Sequence, residues 1–352
     1  IKLPSNKKKN LIGTYSWETW KRMFNSRVFA IPLLYGDNLY VIGGCDQMGK
    51  PLPSFEMYEI KKRKWNNLPA MPTARASPAA AVVGDKIIVI GGVGEGQNPV
   101  SAVEMFDIKA KKWEQMESLT EALLGLSCVV RDNKIIVCGG MGLDTNPKDT
   151  LCAYDIEGNT WKALKVMPTP RYATSSFLIN DKLYVCGGRQ GKLPNTALEC
   201  YDFTEDKWEK LPDIPSKRVF AMYAASDKFI FSIGGLKQPA TEGFSDACEV
   251  FDIEKKEWKI GANMPTKRAD FAICILGGKL VCAGGLGGPG KPLETVEVYD
   301  WVNDSWTKVK DMPTTHCSCA YIMKDDKLAV IGGLSTTGPS SCTEALSFKL
   351  DR

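Results

Sequence analysis

The sequence predicts an all-β fold, a seven-bladed β-propeller with four antiparallel strands in each blade, and three observations carry that prediction. A glycine doublet closes an apolar run seven times, its second glycine falling at Gly44, Gly92, Gly140, Gly188, Gly235, Gly285 and Gly333, in steps of 48, 48, 48, 47, 50 and 48 residues. Tryptophan keeps the same beat at Trp17, Trp65, Trp113, Trp161, Trp208, Trp258 and Trp306. Each copy holds four short strand signals between loops rich in Pro, Gly, Asn and Asp, and none holds an amphipathic stretch long enough for a helix. Such a period means a propeller, solenoid or array, and four strands per copy without helices select the propeller.

Within a copy the first strand begins near an arginine, the second ends in Gly-Gly, the third reads like "FEMYE", and the fourth surrounds the tryptophan. Glycine weakens a strand but adopts backbone angles that other residues avoid and lets a second segment approach closely. The doublet is therefore expected where the aromatic side chains of strands three and four need room. The chain opens on a fourth-strand signal, Tyr15 and Trp17, and ends after a third-strand signal, Glu344 to Leu350. The last blade should thus be closed by the N-terminal strand as its outer strand. From Trp17 to Arg352 there are 336 residues, seven times 48, which assigns residues 14–352 to a single propeller and 1–13 to a flexible basic tail.

Four of the 45 basic residues, Lys2, Lys7, Lys8 and Lys9, lie in that tail, leaving 41 to balance 41 acidic ones. A body without basic excess argues against nucleic acid as the main partner. Of twelve cysteines, Cys138, Cys186 and Cys282 sit inside apolar strand runs and read as buried free thiols. The close pair Cys317 and Cys319 is expected to pack rather than bind metal, and no cofactor or metal site is expected anywhere. Reduced cysteines, the absence of a run of 18 apolar residues and the absence of a signal-peptide core lead to an expected cytoplasmic protein with no membrane partner.

The Gly-Gly doublet followed by Glu, an aromatic-Asp pair (Glu104, Phe106, Asp107; Glu199, Tyr201, Asp202) and then Trp resembles the kelch repeat, and the resemblance covers residues 14 to 350. The stretches "MPTAR", "MPTPRYA", "KRADF", "GGMGLD" and "GGRQ" are similar to the short kelch-only proteins of the kelch-domain-containing eight subfamily. WD40 propellers share the period, but no strand here ends in Trp-Asp. The resemblance implies a monomeric, non-catalytic scaffold or adaptor that binds a protein or peptide. Many kelch proteins recruit substrates for ubiquitin ligases; with no BTB or F-box segment expected beside the repeats, a ligase link would need a separate adaptor.

The alternative is a propeller enzyme of sialidase or lyase type acting in the central channel. Residue supply argues against it. His316 is the only histidine, whereas the resemblance to kelch-fold galactose oxidase implies copper held by two histidines with tyrosines. His316 also stands where the repeat otherwise has arginine, which reads as a repeat variant rather than a catalytic base. A sialidase could draw on arginines and Tyr172, but Asp-box repeats are missing. Runs such as "GGLGGPG" are propeller loops, since none joins a strand to a helix N-terminus as phosphate cradles require.

Ten residues after each tryptophan stand Arg27, Arg75, Leu123, Arg171, Arg218, Arg268 and His316. Two readings are open: a cationic ring at one channel mouth suited to an acidic ligand, or an arginine paired within each blade. The third-strand residues Glu56, Glu104, Cys152, Glu199, Glu249, Glu297 and Glu344 favour pairing, because the one blade with neither Arg nor His there, that of Leu123, is also the one lacking Glu. Specificity should then lie where copies differ, on loops that emerge on one face. The candidate contacts there are Asp46, Asp144 and Arg189 in the loops after the doublets, and Tyr172, Phe220, Asp270 and Phe271 just after the arginines. Arg189, following only one of the doublets, leads this set.

Overall fold

The computed structural model describes residues 12–352. The lysines assigned to the basic tail lie outside the described residues, and the first strand, Gly13–Trp20, begins one residue inside the expected tail. Among the described residues the chain forms seven four-stranded antiparallel sheets, four smaller sheets of two or three short strands, and two short 3-10 turns. Sheet one is Ile31–Tyr35, Asn38–Ile42, Phe55–Glu59 and Lys64–Asn67, paired in that order. Five further meanders of the same pattern follow. Sheet seven consists of Ala320–Lys324, Lys327–Ile331, Thr343–Leu350 and, at its outer edge, Gly13–Trp20.

Second strands are the most buried part of each sheet. Leu39, Tyr40, Val41 and Ile42 are almost wholly enclosed, as are Ile87 to Ile90 in sheet two. The cause is that neighbouring sheets cover both faces of each inner strand, so the sequence there is a continuous apolar run rather than an alternating one. The cores are accordingly shared between sheets. One joins Leu39 and Val41 of sheet one to Ala329 and Ile331 of sheet seven. Each aliphatic side chain so buried contributes about 1.5–3 kcal/mol.

The glycine doublets serve close approach of the neighbouring sheet, chiefly its backbone, and not, as expected, room for the aromatic rings of strands three and four. Gly43 and Gly44 take φ of 60° and 99°, in the region L-residues avoid. A Cβ on Gly43 would strike the Arg75 carbonyl oxygen of the next sheet, and one on Gly44 would stand 2.6 Å from the Val28 carbonyl oxygen. That closeness is used. The Gly44 amide donates to the Arg75 carbonyl at 3.0 Å, and the same bond recurs from Gly92 to Leu123, Gly140 to Arg171, Gly235 to Arg268, Gly285 to His316 and Gly333 to Arg27.

The tryptophan beat has an equally specific cause. Each indole N–H donates to a backbone carbonyl in the segment that leaves the preceding sheet: Trp65 to Lys21, Trp113 to Pro69, Trp161 to Glu117, Trp208 to Lys165, Trp258 to Pro212, Trp306 to Ala262 and Trp17 to Lys310. A large ring at this position both fills the space beside the third-strand aromatic and satisfies a carbonyl that the meander cannot pair.

Gly13–Trp20 pairs residue for residue with Thr343–Leu350, from Gly13 opposite Leu350 to Trp20 opposite Thr343. Deleting residues 1–20 should uncover that whole strand edge, lower the thermal midpoint by several degrees and promote aggregation, while deleting residues 1–10 should do neither. Equal melting and light-scattering behaviour of the two truncations would contradict this role.

Candidate interaction site

The repeat arginines are interior residues. Arg27, Arg75, Arg171 and Arg268 are 0% exposed and Arg218 5%. Each pairs with the glutamate of its own third strand: Arg27 with Glu56 at 2.6 Å, Arg75 with Glu104 at 2.5 Å, Arg171 with Glu199 at 2.9 Å, Arg268 with Glu297 at 3.0 Å, and Arg218 with Glu249. A second guanidinium nitrogen donates to the carbonyl of the first glycine in the doublet, as from Arg27 to Gly43 at 3.1 Å and Arg75 to Gly91 at 3.0 Å. Desolvation pulls the Arg27 guanidinium down to about 10 against the opposing pull of Glu56. These five candidates therefore present no surface at the mouth of a channel. His316 takes the arginine's place with the same partners, its Nδ1 donating to the Gly332 carbonyl at 2.5 Å and its Nε2 lying 2.7 Å from Glu344. In sheet three Leu123 is buried and faces no ion pair at the repeat position, where Cys152 replaces the glutamate.

Removing one member of such a pair strands a buried charge. Arg75→Ala and Glu104→Ala should each cost about 3–5 kcal/mol in urea unfolding, and the double variant clearly less than the sum because the two residues share one interaction. Strict additivity would mean that the pair does not act as a unit.

Other candidates separate by burial. Phe271 is 1% exposed and belongs to the core shared by sheets five and six, so it offers no contact surface. Asp46 and Asp144 organise their own loops: Asp46 accepts from the amides of Met48 and Lys50, and Asp144 from the Asn146 amide and the Lys148 ammonium. Neither lies beside Arg189 in the chain of contacts described next.

Two residues after each arginine position the backbone turns left-handed, at Phe29, Ser77, Gly125, Ala173, Phe220, Asp270 and Ser318. Amides at this position reach the equivalent carbonyl of the preceding sheet, from Phe29 to Ser318, Ser77 to Phe29, Ala173 to Gly125 and Asp270 to Phe220. Side chains that face outward from this belt include Phe29, 45% exposed, and Phe220, 50% exposed.

At sheets four to six the belt and the loops converge. Tyr172 and Arg189 are joined by two backbone hydrogen bonds of 3.1 and 2.8 Å. Both side chains then bind the same carbonyl, Gly191, the Tyr172 hydroxyl at 2.8 Å and the Arg189 Nε at 3.2 Å. The Arg189 guanidinium lies 5.1 Å from the Phe220 ring centre and 5.8 Å from that of Tyr172, within cation–π range of both. It makes no ion pair among the described residues. Asp270 follows on the other side of Phe220, half-buried, taking a hydrogen bond from the Ser318 hydroxyl. Leu193, 66% exposed, stands at the tip of the Arg189 hairpin. Beside it a cleft of about 360 Å³ is lined by Gln190, Asn195, Asp213 and Lys217 among others.

This sector overlies the junction that is held differently from the rest. No Gly188-to-Arg218 bond is found among the described residues, and the Tyr223 hydroxyl instead packs on Gly187.

Comparison with known proteins follows this architecture. The family model for the Attractin/LZTR1 beta-propeller matches residues 11–226, and the Kelch motif model matches residues 267–313. The chain belongs to the kelch-repeat β-propeller family. Kelch domain-containing protein 8B of Rattus norvegicus is 42% identical over 118 residues, a match that spans 31% of this chain and 33% of that relative. Among solved structures, YjhT aligns with a TM-score of 0.65 at 16% identity, covering 83% of this chain and 99% of its own. A fungal alcohol oxidase of the AA5 family in complex with copper aligns with a TM-score of 0.72 at 15% identity, covering 95% of this chain and 76% of its own. At such identities these two likenesses concern the fold alone.

Sequence reasoning sets Tyr172, Arg189, Phe220 and Asp270 on one face, with Arg189 leading. It missed that Phe220 supplies the nearer ring and that Ser318 holds Asp270. No spacing rule links these residues, since they come from different repeats.

Burial raises the Asp270 carboxyl above its ordinary value, with the Ser318 hydrogen bond opposing. A carboxyl with a raised folded value stabilises the fold fully only below its unfolded value, and that contribution is lost as pH rises through the folded one. Asp270→Asn should therefore raise the urea midpoint at pH 7 and give no gain at a pH below about 4. An equal gain at both values would assign the effect to something other than ionisation.

Proposed function

We propose that this kelch protein is a single domain, residues 14–352, whose seven sheets are the seven blades of one ring closed by the N-terminal strand, and that it works as a non-catalytic interaction module. Closure is supported by bonds between sheets seven and one at three radii: the Phe29 amide to the Ser318 carbonyl, the Gly333 amide to the Arg27 carbonyl, and the Trp65 indole to the Lys21 carbonyl. A ring held at three radii is a rigid platform on which loops can present side chains.

One observation carries the binding role. Arg189 lies between two aromatic rings, without a carboxylate partner among the described residues, on the face where exposed apolar side chains gather: Phe24, Phe29, Met48, Leu143, Leu193 and Phe220. A rigid cation flanked by aromatics is a common form of interface anchor. Tyr172, Arg189, Phe220 and Asp270 form the proposed contact sector for a protein or peptide partner. An adaptor acting as a monomer in the cytoplasm suits this surface and the twelve free cysteines, most of them deep in the sheets. Among the described residues no helix is long and apolar enough to cross a membrane.

Arg189→Ala, Tyr172→Ala and Asp270→Ala should keep the wild-type fold yet lose a shared subset of partners in affinity purification with mass spectrometry. Each should weaken a recovered partner by on the order of 2 kcal/mol. Retention of the full partner set by all three variants would reject the sector.

A further inference from the structure

On the opposite face, where the tight turns lie, one inter-sheet cleft departs from the repeat at several positions together. Sheet five carries Phe229 at the start of its second strand, where the other sheets have Asn38, Lys86, Lys134, Lys182, Lys279 and Lys327. That residue faces the acid at the end of the third strand, as Lys86 does Asp107 at 2.5 Å and Lys182 does Asp202 at 3.8 Å. Phe229 is instead opposite Asp252, which has no ion pair among the described residues.

Sheet six adds the second departure. Trp301 occupies a turn position held elsewhere by Ile60, Ile108, Ile156, Phe203 and Ile253. A half-buried indole here leans on Phe231 with 5.2 Å between ring centres. Phe229, Val250, Tyr299 and Trp301, with the carboxylates of Asp252 and Glu257, line a cleft of about 390 Å³. Lys255 and Lys259 also line it, exposed and in no ion pair with either acid among the described residues.

The same chain shows how an aromatic at this position is used. Between sheets three and four the equivalent aromatic is Phe203, and the Arg131 guanidinium lies over it at 4.4 Å while binding both oxygens of Asp181 at 2.7 and 2.9 Å. Arg131 faces Lys134 across the first hairpin of sheet three, and in sheet five the corresponding pair is Ser226 and Phe229, joined by a 2.9 Å backbone bond. Serine cannot reach Trp301 with a charge.

We infer that the cleft formed by Phe229, Asp252, Glu257 and Trp301 is a second binding site, which takes an arginine side chain of a partner protein. A planar guanidinium can stack on the indole and bind a carboxylate with its edge, as Arg131 does within the chain. An ammonium, being a strongly hydrated point charge, gains less from the flat wall. This site is separate from the loop-face sector and stands or falls without it.

The test uses the whole chain with labelled tryptophan indoles, the Trp301 resonance being assigned from Trp301→Phe. N-acetyl-arginine methylamide should shift that resonance saturably, and the uncharged citrulline analogue should bind at least about tenfold more weakly. Asp252→Asn should weaken the arginine probe several-fold. Ser226→Arg should move the Trp301 resonance without any probe and abolish the response to it. An unmoved Trp301 resonance, equal binding of the citrulline analogue, tighter binding of the lysine analogue, or an undiminished response in both folded variants would each overturn the assignment.

Discussion

Every repeat arginine except Arg218 binds in two directions at once, and the rest of the molecule depends on that. Its guanidinium reaches inward to the glutamate and the glycine carbonyl of its own sheet, while its backbone carbonyl accepts from the glycine amide of the preceding sheet. A buried guanidinium left unpaired is costly, so the pair and the doublet must be present together. Sheet three separates the two functions. Leu123 has no charge to bury, yet its carbonyl still accepts from Gly92 at 3.0 Å. The inter-sheet bond is thus a property of the backbone path, and the ion pair fixes the path within a sheet.

Stiffness at the inner radius is matched outside it. The indole bonds fasten the outer strand of each sheet to the segment leaving the one before. With sheets clamped at both radii, the loops and turns carry little structural duty and are free to differ. Both candidate surfaces lie at such differences. Arg189 projects from a hairpin whose sequence occurs once, and Trp301 and Phe229 stand at positions that are isoleucine and lysine in most other sheets.

The two surfaces also differ in charge logic. On the loop face the chain supplies the cation, Arg189, and aromatic walls around it. In the turn-face cleft it supplies aromatic walls and carboxylates, Asp252 and Glu257, without a paired cation. A scaffold with complementary chemistry on opposite faces can hold two partners without competition between them.

Composition and period alone determined the repeat number, the four strands per repeat, the outer position of the N-terminal strand and the pairing of arginine with glutamate. These were legible because each is a sevenfold constraint, and a residue required by the same neighbours in every copy leaves a periodic trace. The reason for the glycine doublet was not legible, since nothing in a sequence says whose carbonyl a Cβ would strike. The left-handed belt was equally hidden: its residues are Phe29, Ser77, Gly125, Ala173, Phe220, Asp270 and Ser318, without the glycine preference that a positive φ normally imprints. Only the tertiary structure decided that Arg189 meets Phe220, that Asp270 meets Ser318, and that Phe271 turns into the core. Each of those outcomes depends on a contact between different sheets made once in the chain, and a contact made once leaves no period to read.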